Sequence, residues 1–153
     1  MMSATTLRGV TRATRVLDLS ASAELVCDNL MCAKVGELCL CKFSIALPKI
    51  AHVSELRLRG NGMDRWPELW RIPGLHILDV SENRLQSIPR EIAQLSHLKE
   101  LRISHNDLES LPEELAQLPS LRLVDARNNS RLRAVPQSLA AIVRTDEGDS
   151  ARR

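Results

Sequence analysis

Four cysteines lie close together near the start of the chain, and they are the residues with the clearest capacity for chemistry: Cys27, Cys32, Cys39 and Cys41. Clustered thiols bind zinc, form disulfides or act as redox groups, and their spacing helps to distinguish these roles. The four do not fall into the paired C-x2-4-C spacing of structural zinc sites, so we predict no metal ion and no cofactor. The N-terminal arginines are not followed by the apolar stretch of a secretory signal, so we expect reduced thiols.

Charged residues recur at one fixed place, between the last two aliphatic residues of successive short apolar runs. The residues at this place are Asp18, Cys39, Arg57, Asp79, Arg102 and Asp125. From Arg57 onward the sign of the charge alternates. Neighbouring strands of a sheet lie about 4.7 to 4.9 Å apart, so the row would form a ladder of opposite charges. Such a ladder is either a self-neutralising surface or a polar surface that recognises another protein, and both interpretations stay open.

A wider recognition surface is predicted around this row. We expect a partner protein to contact Arg57, Arg59, Asp79, Glu82, Arg102, Ser104, His105, Asp125 and Arg127, flanked by Ser81 and Asn128. Aromatic side chains are the usual anchors of tight interfaces, and this surface has none. Its apolar outward positions are Val16, Ile77 and Leu123. We therefore do not expect high affinity from this surface alone.

Repeated segments must hold these residues in place. The segment LHILDVSENRLQSIP begins at Leu75 and the segment LKELRISHNDLESLP begins at Leu98, with identical offsets between their apolar residues. Related units begin at Val53, at Leu121 and, more weakly, at Thr14 and Val35. A period of this kind indicates stacked structural repeats, because one repeat cannot bury its apolar side alone.

The second half of each apolar run alternates with the period of a strand. Leu101 and Ile103 are therefore expected to point inward and Arg102 outward. Stacked units would align these strands in a parallel sheet. An asparagine follows each of the four stronger strands: Asn61, Asn83, Asn106 and Asn129. A column of buried amides can satisfy the backbone groups of successive turns, so we predict a structural role for these residues.

The repeat pattern also predicts structural roles for tryptophans and cysteines that could otherwise be taken for binding or reactive residues. It puts Trp66 and Trp70 in the core of the convex side, where other units have aliphatic residues. It puts Cys39 and Cys41 on the strand beside Arg57. We interpret these two cysteines as small residues of a degenerate capping coil. The alternative is a redox-sensitive thiolate stabilised by the neighbouring guanidinium.

The pattern LxxLxLxxNxLxxLPxxIxxL resembles the leucine-rich repeat family. It is most similar to the intracellular Ras-suppressor-like, or plant Ras-group-related, subgroup. The resemblance covers about residues 14–143. It implies an α/β repeat fold, a short horseshoe-shaped solenoid with a concave parallel sheet of about six strands and an irregular or 3-10 helical convex side. It also implies a protein-binding scaffold or adaptor in signalling, with small GTPase or phosphatase pathways among the possible contexts.

The two ends of the chain differ in composition from the repeats. Residues 1–13 form a polar, basic lead segment, and residues 144–153 a polar tail that we expect to be disordered. We predict a cytoplasmic protein. The alternative is import into an organelle directed by the basic N-terminus. No apolar run approaches the length of about 20 residues that spans a bilayer.

Composition and motifs argue against several classes of function. The formal net charge is +2 without a long basic run, so a nucleic-acid partner is not expected. The sequence has no recognisable catalytic motif, and we predict a protein that is not an enzyme. One alternative is a regulatory or substrate-recognition subunit of an enzyme complex, such as a ubiquitin ligase or a phosphatase. Another is a shortened relative of a larger repeat protein.

Overall fold

A computed structural model describes residues 2–27, 30–32 and 39–146. In this part of the chain seven short strands form one parallel sheet in chain order. The strands are β1 (Met2–Ala4), β2 (Thr14–Asp18), β3 (Glu55–Arg57), β4 (Ile77–Asp79), β5 (Glu100–Arg102), β6 (Leu123–Asp125) and β7 (Val143–Arg144). The predicted parallel solenoid is confirmed, and the described sheet has seven strands rather than about six.

The inward side of the sheet forms the core. Leu56, Leu78, Leu101 and Val124 pair in register on neighbouring strands, and each is fully buried. A run with one aliphatic residue at every second position gives each strand one apolar face. Stacking these faces buries a continuous aliphatic layer that no single coil could bury.

The convex side consists of short helical turns. Their bounds are Ala23–Leu25, Leu69–Arg71, Arg90–Gln94, Glu113–Gln117 and Gln137–Leu139, all 3-10 helices, and α1 (Cys41–Ile50) is an α-helix. Proline stands directly before three of the 3-10 helices, as Pro89, Pro112 and Pro136. Proline at this place fits because its fixed φ and missing N–H suit the start of a helical turn.

The asparagines form a hydrogen-bonded column along the turns that follow the strands. The Asn83 carbonyl oxygen accepts the N–H groups of Asn61 and Met63, at 3.1 and 2.9 Å. The Asn83 amide nitrogen donates to the backbone oxygens of Leu58 and Val80, at 3.0 and 2.8 Å. One side chain thus closes its own turn and ties it to the preceding coil.

The same arrangement recurs in neighbouring coils. Asn106 accepts the N–H of Leu85 at 3.0 Å, and Asn129 accepts the N–H of Leu108 at 3.2 Å. Both asparagines are buried, as is Asn83. A buried amide with both ends paired avoids the free-energy cost of an unsatisfied polar group.

One predicted coil is absent from the sheet. The weak unit beginning at Val35 was expected to supply a strand, but β2 pairs directly with β3 through Leu17 and Leu56. Residues 35–38 of that unit lie outside the described residues. The rest of it includes α1, whose Phe43 is fully buried. A large aromatic residue where the turn needs an amide is incompatible with the strand-and-turn pattern, and the chain forms a helix instead.

The tryptophans lie at the margin of the core rather than inside it, and Trp66 packs against the buried residues. Trp66 and Trp70 are both only half-buried. The unit is one residue short after Pro67, so Leu69 and Ile72 take the two inward places and are fully buried. The Trp66 indole N–H donates to the backbone oxygen of Ser87 at 2.6 Å, which places this ring at the rim between two coils.

Both ends of the described chain contribute strands. β1 lies within residues 1–13, which the sequence analysis assigned to a lead segment, and it pairs with β2. Ala4 and Val10 are buried against the first coil. β7 includes Arg144 and extends the sheet past β6, while residues 147–153 of the predicted tail lie outside the described residues.

Substitution of Asn83 by Ala tests the amide column. We expect it to lower the free energy of unfolding by about 2 to 4 kcal/mol, because the N–H groups of Met63 and Asn61 lose their acceptor and two backbone oxygens each lose one donor. Urea unfolding of the whole chain measures this. Arg84→Ala, at the exposed next position, is the matched control and should change stability by less than about 0.5 kcal/mol. Equal effects of the two substitutions would contradict a special role for the amide.

Candidate functional site

The outward side of the sheet is the concave face, and its central row follows the register of the strands. Cross-strand neighbours in this row are Asp18, Arg57, Asp79, Arg102, Asp125 and Arg144. The charge alternates along the whole row. Cys39 was predicted to lie between Asp18 and Arg57, and that prediction was wrong because these two residues pair directly.

The arginines of this row take their acidic partners mainly from their own strands. Arg57 bonds Glu55 through its Nε at 2.7 Å, and Arg102 bonds Glu100 at 3.0 Å. Across strands, Arg57 lies 3.6 Å from the Asp18 carboxylate. Opposite charges therefore face each other on neighbouring strands, as the predicted ladder requires. The shorter ion pairs, however, join residues two positions apart on the same strand.

Arg127 lies two residues past the end of β6, and it also pairs with the acidic residue two positions earlier in the chain. Its Nε and a terminal nitrogen each bond the Asp125 carboxylate at 2.9 Å. This two-point contact holds the pKa of Asp125 below its ordinary value, chiefly through the hydrogen bond from the Arg127 side chain. The side chains of Arg57, Arg102 and Arg127 are 40–42% exposed, so each guanidinium still faces solvent.

The aspartates of the row also accept hydrogen bonds from the backbone. Asp79 accepts the N–H of Ser81 at 3.0 Å, and Asp18 accepts the N–H of Ser20 at the same distance. Asp79 is only 8% exposed. A short acidic side chain that bonds the N–H two residues later stabilises the turn out of the strand. Asp79 therefore serves the turn, and its contact with a partner stays a prediction.

Ser104 and Ser81 also lie on the concave face. The Ser104 hydroxyl donates to the Ser81 Oγ of the neighbouring coil at 3.1 Å. Ser81 is buried and Ser104 is half-buried. Ser104 thus keeps part of its surface open, whereas Ser81 belongs to the turn.

One edge of the concave face consists of residues with left-handed backbone. The residue before each turn asparagine, or its equivalent, has positive φ: Ala21, Gly60, Glu82, His105 and Asn128. The N–H of this residue continues the parallel ladder, as in the bond from Glu82 to the Ser104 oxygen at 2.9 Å. Left-handed backbone costs an ordinary L-residue about 1 to 2 kcal/mol. Glu82 and His105 are exposed there in spite of this cost.

Glu82 on this edge pairs with Arg59 of the preceding coil. The two side chains meet at 2.5 Å. The hydrogen bond from Arg59 lowers the pKa of Glu82 below its ordinary value, and His105 adds a smaller electrostatic contribution. Arg59 and Glu82 therefore form an ion pair at the edge, and His105 is near enough to influence Glu82 electrostatically.

The four cysteines lie apart from the sheet, at the start of α1. Neither Cys39 nor Cys41 is on a strand beside Arg57, because β2 occupies that place. Hydrogen bonds from the side chain and backbone of Cys41 lower the pKa of Cys39 to about 7. The hydrogen bond with Cys39 raises the pKa of Cys41 to about 12. The predicted influence of Arg57 on Cys39 has no basis in this arrangement.

Comparison with known proteins agrees with the geometry. Residues 73–130 match the family model for the leucine-rich repeat. These residues therefore carry the leucine-rich repeat pattern, and the chain has the fold of a leucine-rich repeat solenoid. None of the curated proteins matches the sequence.

Solved structures of several bacterial proteins share this fold. A leucine-rich repeat protein of Leptospira interrogans aligns with a TM-score of 0.62 and 20% identity, over 95% of this chain and 40% of that one. Internalin C2 of Listeria monocytogenes aligns with a TM-score of 0.61 and 22% identity, over 87% and 52%. InlP of the same organism aligns with a TM-score of 0.55 and 24% identity, over 63% and 27%. This chain spans about half or less of each.

Within the described ranges, no helix has the length and apolar character needed to cross a bilayer.

Paired substitutions at the left-handed edge should change stability in opposite directions. Gly60→Ala should destabilise the fold and Ala21→Gly should stabilise it, each by about 0.5 to 1 kcal/mol, because only glycine is free of strain at positive φ. A methyl group at Gly60 has room, since the nearest atoms would lie 3.9 Å away, so backbone strain alone is tested. Urea unfolding gives both values, and effects of the same sign would contradict the assignment.

Acid should remove the stabilising contribution of the Asp125–Arg127 pair. The folded-state pKa of Asp125 is lowered, so its carboxylate stabilises the fold at neutral pH. That contribution is lost as the pH falls through the folded pKa. Arg127→Gln should cost up to about 1 kcal/mol at neutral pH and almost nothing in acid. The exposed Arg133→Gln is the control, and a cost for Arg127→Gln that persists unchanged in acid would refute the pairing.

Proposed function

We propose that this chain is a non-enzymatic protein-interaction module that binds a partner protein through its concave face. Leucine-rich repeat solenoids generally present an extended concave surface for binding. The observation that carries the proposal is the set of three half-exposed arginines, Arg57, Arg102 and Arg127, each fixed by an acidic residue of its own coil.

Fixed arginines suit recognition for two physical reasons. A guanidinium has five N–H donors in one plane, so an arginine that bonds one carboxylate retains donors for a partner's carboxylate or carbonyl oxygens. Ordering a free arginine at an interface costs about 0.5 to 1.5 kcal/mol in side-chain entropy. In Arg57, Arg102 and Arg127 the ion pairs with Glu55, Glu100 and Asp125 have already restricted the side chain.

The left-handed edge supports the same proposal. Glu82 and His105 occupy positions where glycine would be free of strain, and both side chains are exposed. Strained backbone around an exposed polar side chain is a recurrent feature of binding sites. We include Arg59, Glu82 and His105 with the three arginines as the proposed contact residues.

The expected partner has a polar surface of mixed charge. The arginines are interleaved with Glu55, Glu100 and Asp125, so a uniformly acidic or basic partner fits poorly. The apolar positions Ile77 and Leu123 are half-buried at the strand starts. Without an aromatic anchor, complementary charge should govern the rate of association, and binding should weaken with salt.

We place this module inside the cell, as a signalling scaffold or adaptor of the Ras-suppressor-like subgroup. The turns after Leu111–Pro112 and Ile88–Pro89 follow the dipeptide pattern that suggested this subgroup. Four cysteines in close proximity without disulfide bonds also fit a reducing compartment. A small GTPase or phosphatase pathway is part of this proposal and rests on the resemblance alone.

Affinity capture with matched variants tests the proposal. The triple variant Arg57→Gln, Arg102→Gln, Arg127→Gln should retain at least about tenfold less of the principal partner than the wild type. The control removes three exposed arginines away from the sheet, as Arg65→Gln, Arg90→Gln and Arg131→Gln, and so changes the net charge equally. Urea unfolding verifies that both variants remain folded.

Two outcomes would count against the proposal. Equal losses in both triple variants would indicate a nonspecific charge effect. Unchanged capture by the concave-face variant would move the binding site elsewhere. A catalytic protein recovered with the wild type and lost with the concave-face variant would favour the regulatory or substrate-recognition role over that of a scaffold.

A further inference from the structure

The four cysteines converge on one point, although they are spread over fifteen positions of the sequence. Their Sγ atoms all lie within 4.8 Å of one another. Cys27 and Cys41 are 3.6 Å apart, and Cys32 and Cys39 are 3.7 Å apart. The two pairs share no residue, so they form opposite edges of a four-cornered group of sulfur atoms.

This arrangement has the dimensions of a tetrahedral metal site. A zinc ion bound by thiolates has zinc–sulfur bonds of about 2.3 Å, and a regular tetrahedron of that size has sulfur–sulfur edges of about 3.8 Å. The two measured edges are within about 0.2 Å of this value. We propose that Cys27, Cys32, Cys39 and Cys41 bind one Zn²⁺ ion as a closed structural site.

Local structure explains how the residues converge. The backbone N–H of Cys39 donates to the Leu25 oxygen at 3.0 Å, which brings this cysteine back beside the 3-10 helix Ala23–Leu25 that precedes Cys27. Cys41 is the first residue of α1. The thiols of two segments distant in sequence therefore meet between the 3-10 helix and α1.

The surroundings also favour thiolate ligands. The N–H of Cys41 donates to the Cys39 sulfur at 3.4 Å. Backbone N–H bonds to sulfur orient metal-bound thiolates and lower their charge density. Cys41 lies at the N-terminus of a ten-residue helix, where the helix dipole favours negative charge. Metal binding would replace the proton of each thiol by a metal–sulfur bond and release that proton to solvent.

Zinc fits this group better than the other products of clustered thiols. A disulfide requires a sulfur–sulfur distance of about 2.0 Å, and the four cysteines are unbridged. An iron–sulfur cluster places several iron and sulfide atoms between its thiolates, whereas these sulfur atoms enclose space for a single ion. Zinc is the common ion in sites with four cysteine ligands.

The position of the site gives the metal a structural role. The connection from β2 to β3 is much longer than those between later strands, and α1 takes the place of a regular coil in it. Phe43, Leu47 and Ile50 of α1 are buried in the core. A zinc ion at the first turn of α1 would fix the helix start against the preceding 3-10 helix, so the buried face of the helix would be held in place.

Metal content and spectroscopy test this proposal on the full chain. Protein purified under reducing conditions without chelator should contain one zinc per chain. The apo protein should bind one Co²⁺, with the intense visible bands of tetrahedral cobalt bound by four thiolates, and Zn²⁺ should abolish these bands. Removal of zinc by a chelator should lower the melting temperature and expose all four thiols to alkylation.

Substitutions identify the ligands. Cys27→Ser and Cys39→Ser should each lower zinc affinity by about a hundredfold or more. Ser44→Ala, at an exposed position of α1, is the control and should retain full zinc content. If a cysteine variant does not fold, the cobalt spectrum and zinc-protected alkylation of the wild type still decide. Two disulfides, an iron–sulfur chromophore, or four freely alkylated thiols in metal-replete protein would each overturn the proposal.

Discussion

The structure depends on backbone hydrogen bonds that no coil can complete alone. Each coil turns sharply after its strand, and the turn buries N–H and carbonyl groups away from water. Asn83 shows how these groups are satisfied, because its amide bonds its own turn at Val80 and the preceding coil at Leu58 and Met63. Since unsatisfied buried groups are costly, each coil requires its neighbour for polar as well as apolar reasons.

This requirement fixes the register of the concave face. Once the amides and the inward leucines are aligned, the outward residues of successive strands become neighbours. The fold does not require particular residue types at these outward positions, so the side chains there can serve binding. Arg57, Arg102 and Arg127 use that freedom in the same way, each pairing with an acidic residue two positions earlier and remaining partly open to solvent. Inward residues of the short strands thus build the core, and the outward residues that alternate with them contribute to the proposed binding surface.

The repeat period was sufficient to predict the stacked coils, the parallel sheet and the concave row except for Cys39 and Arg144. Predictions failed where a local change interrupted the period. A single missing residue after Pro67 moved Trp70 out of the inward place, and Phe43 accompanied a helix where a coil was expected. The burial of Asp79 escaped prediction because an aspartate can bond its own backbone. Convergence of the cysteines was not predictable from spacing, since it depends on where α1 begins relative to Cys27.

Amide hydrogen exchange of the intact chain tests the central claim most directly. The N–H groups of Met63, Leu85 and Leu108 bond asparagine side chains of the following coil. If the amide column holds the coils together, these three groups should exchange only through global unfolding, with the same free energy as the strand amides. Exchange of these groups at the rate of exposed turn amides, while the strands stay protected, would contradict this account.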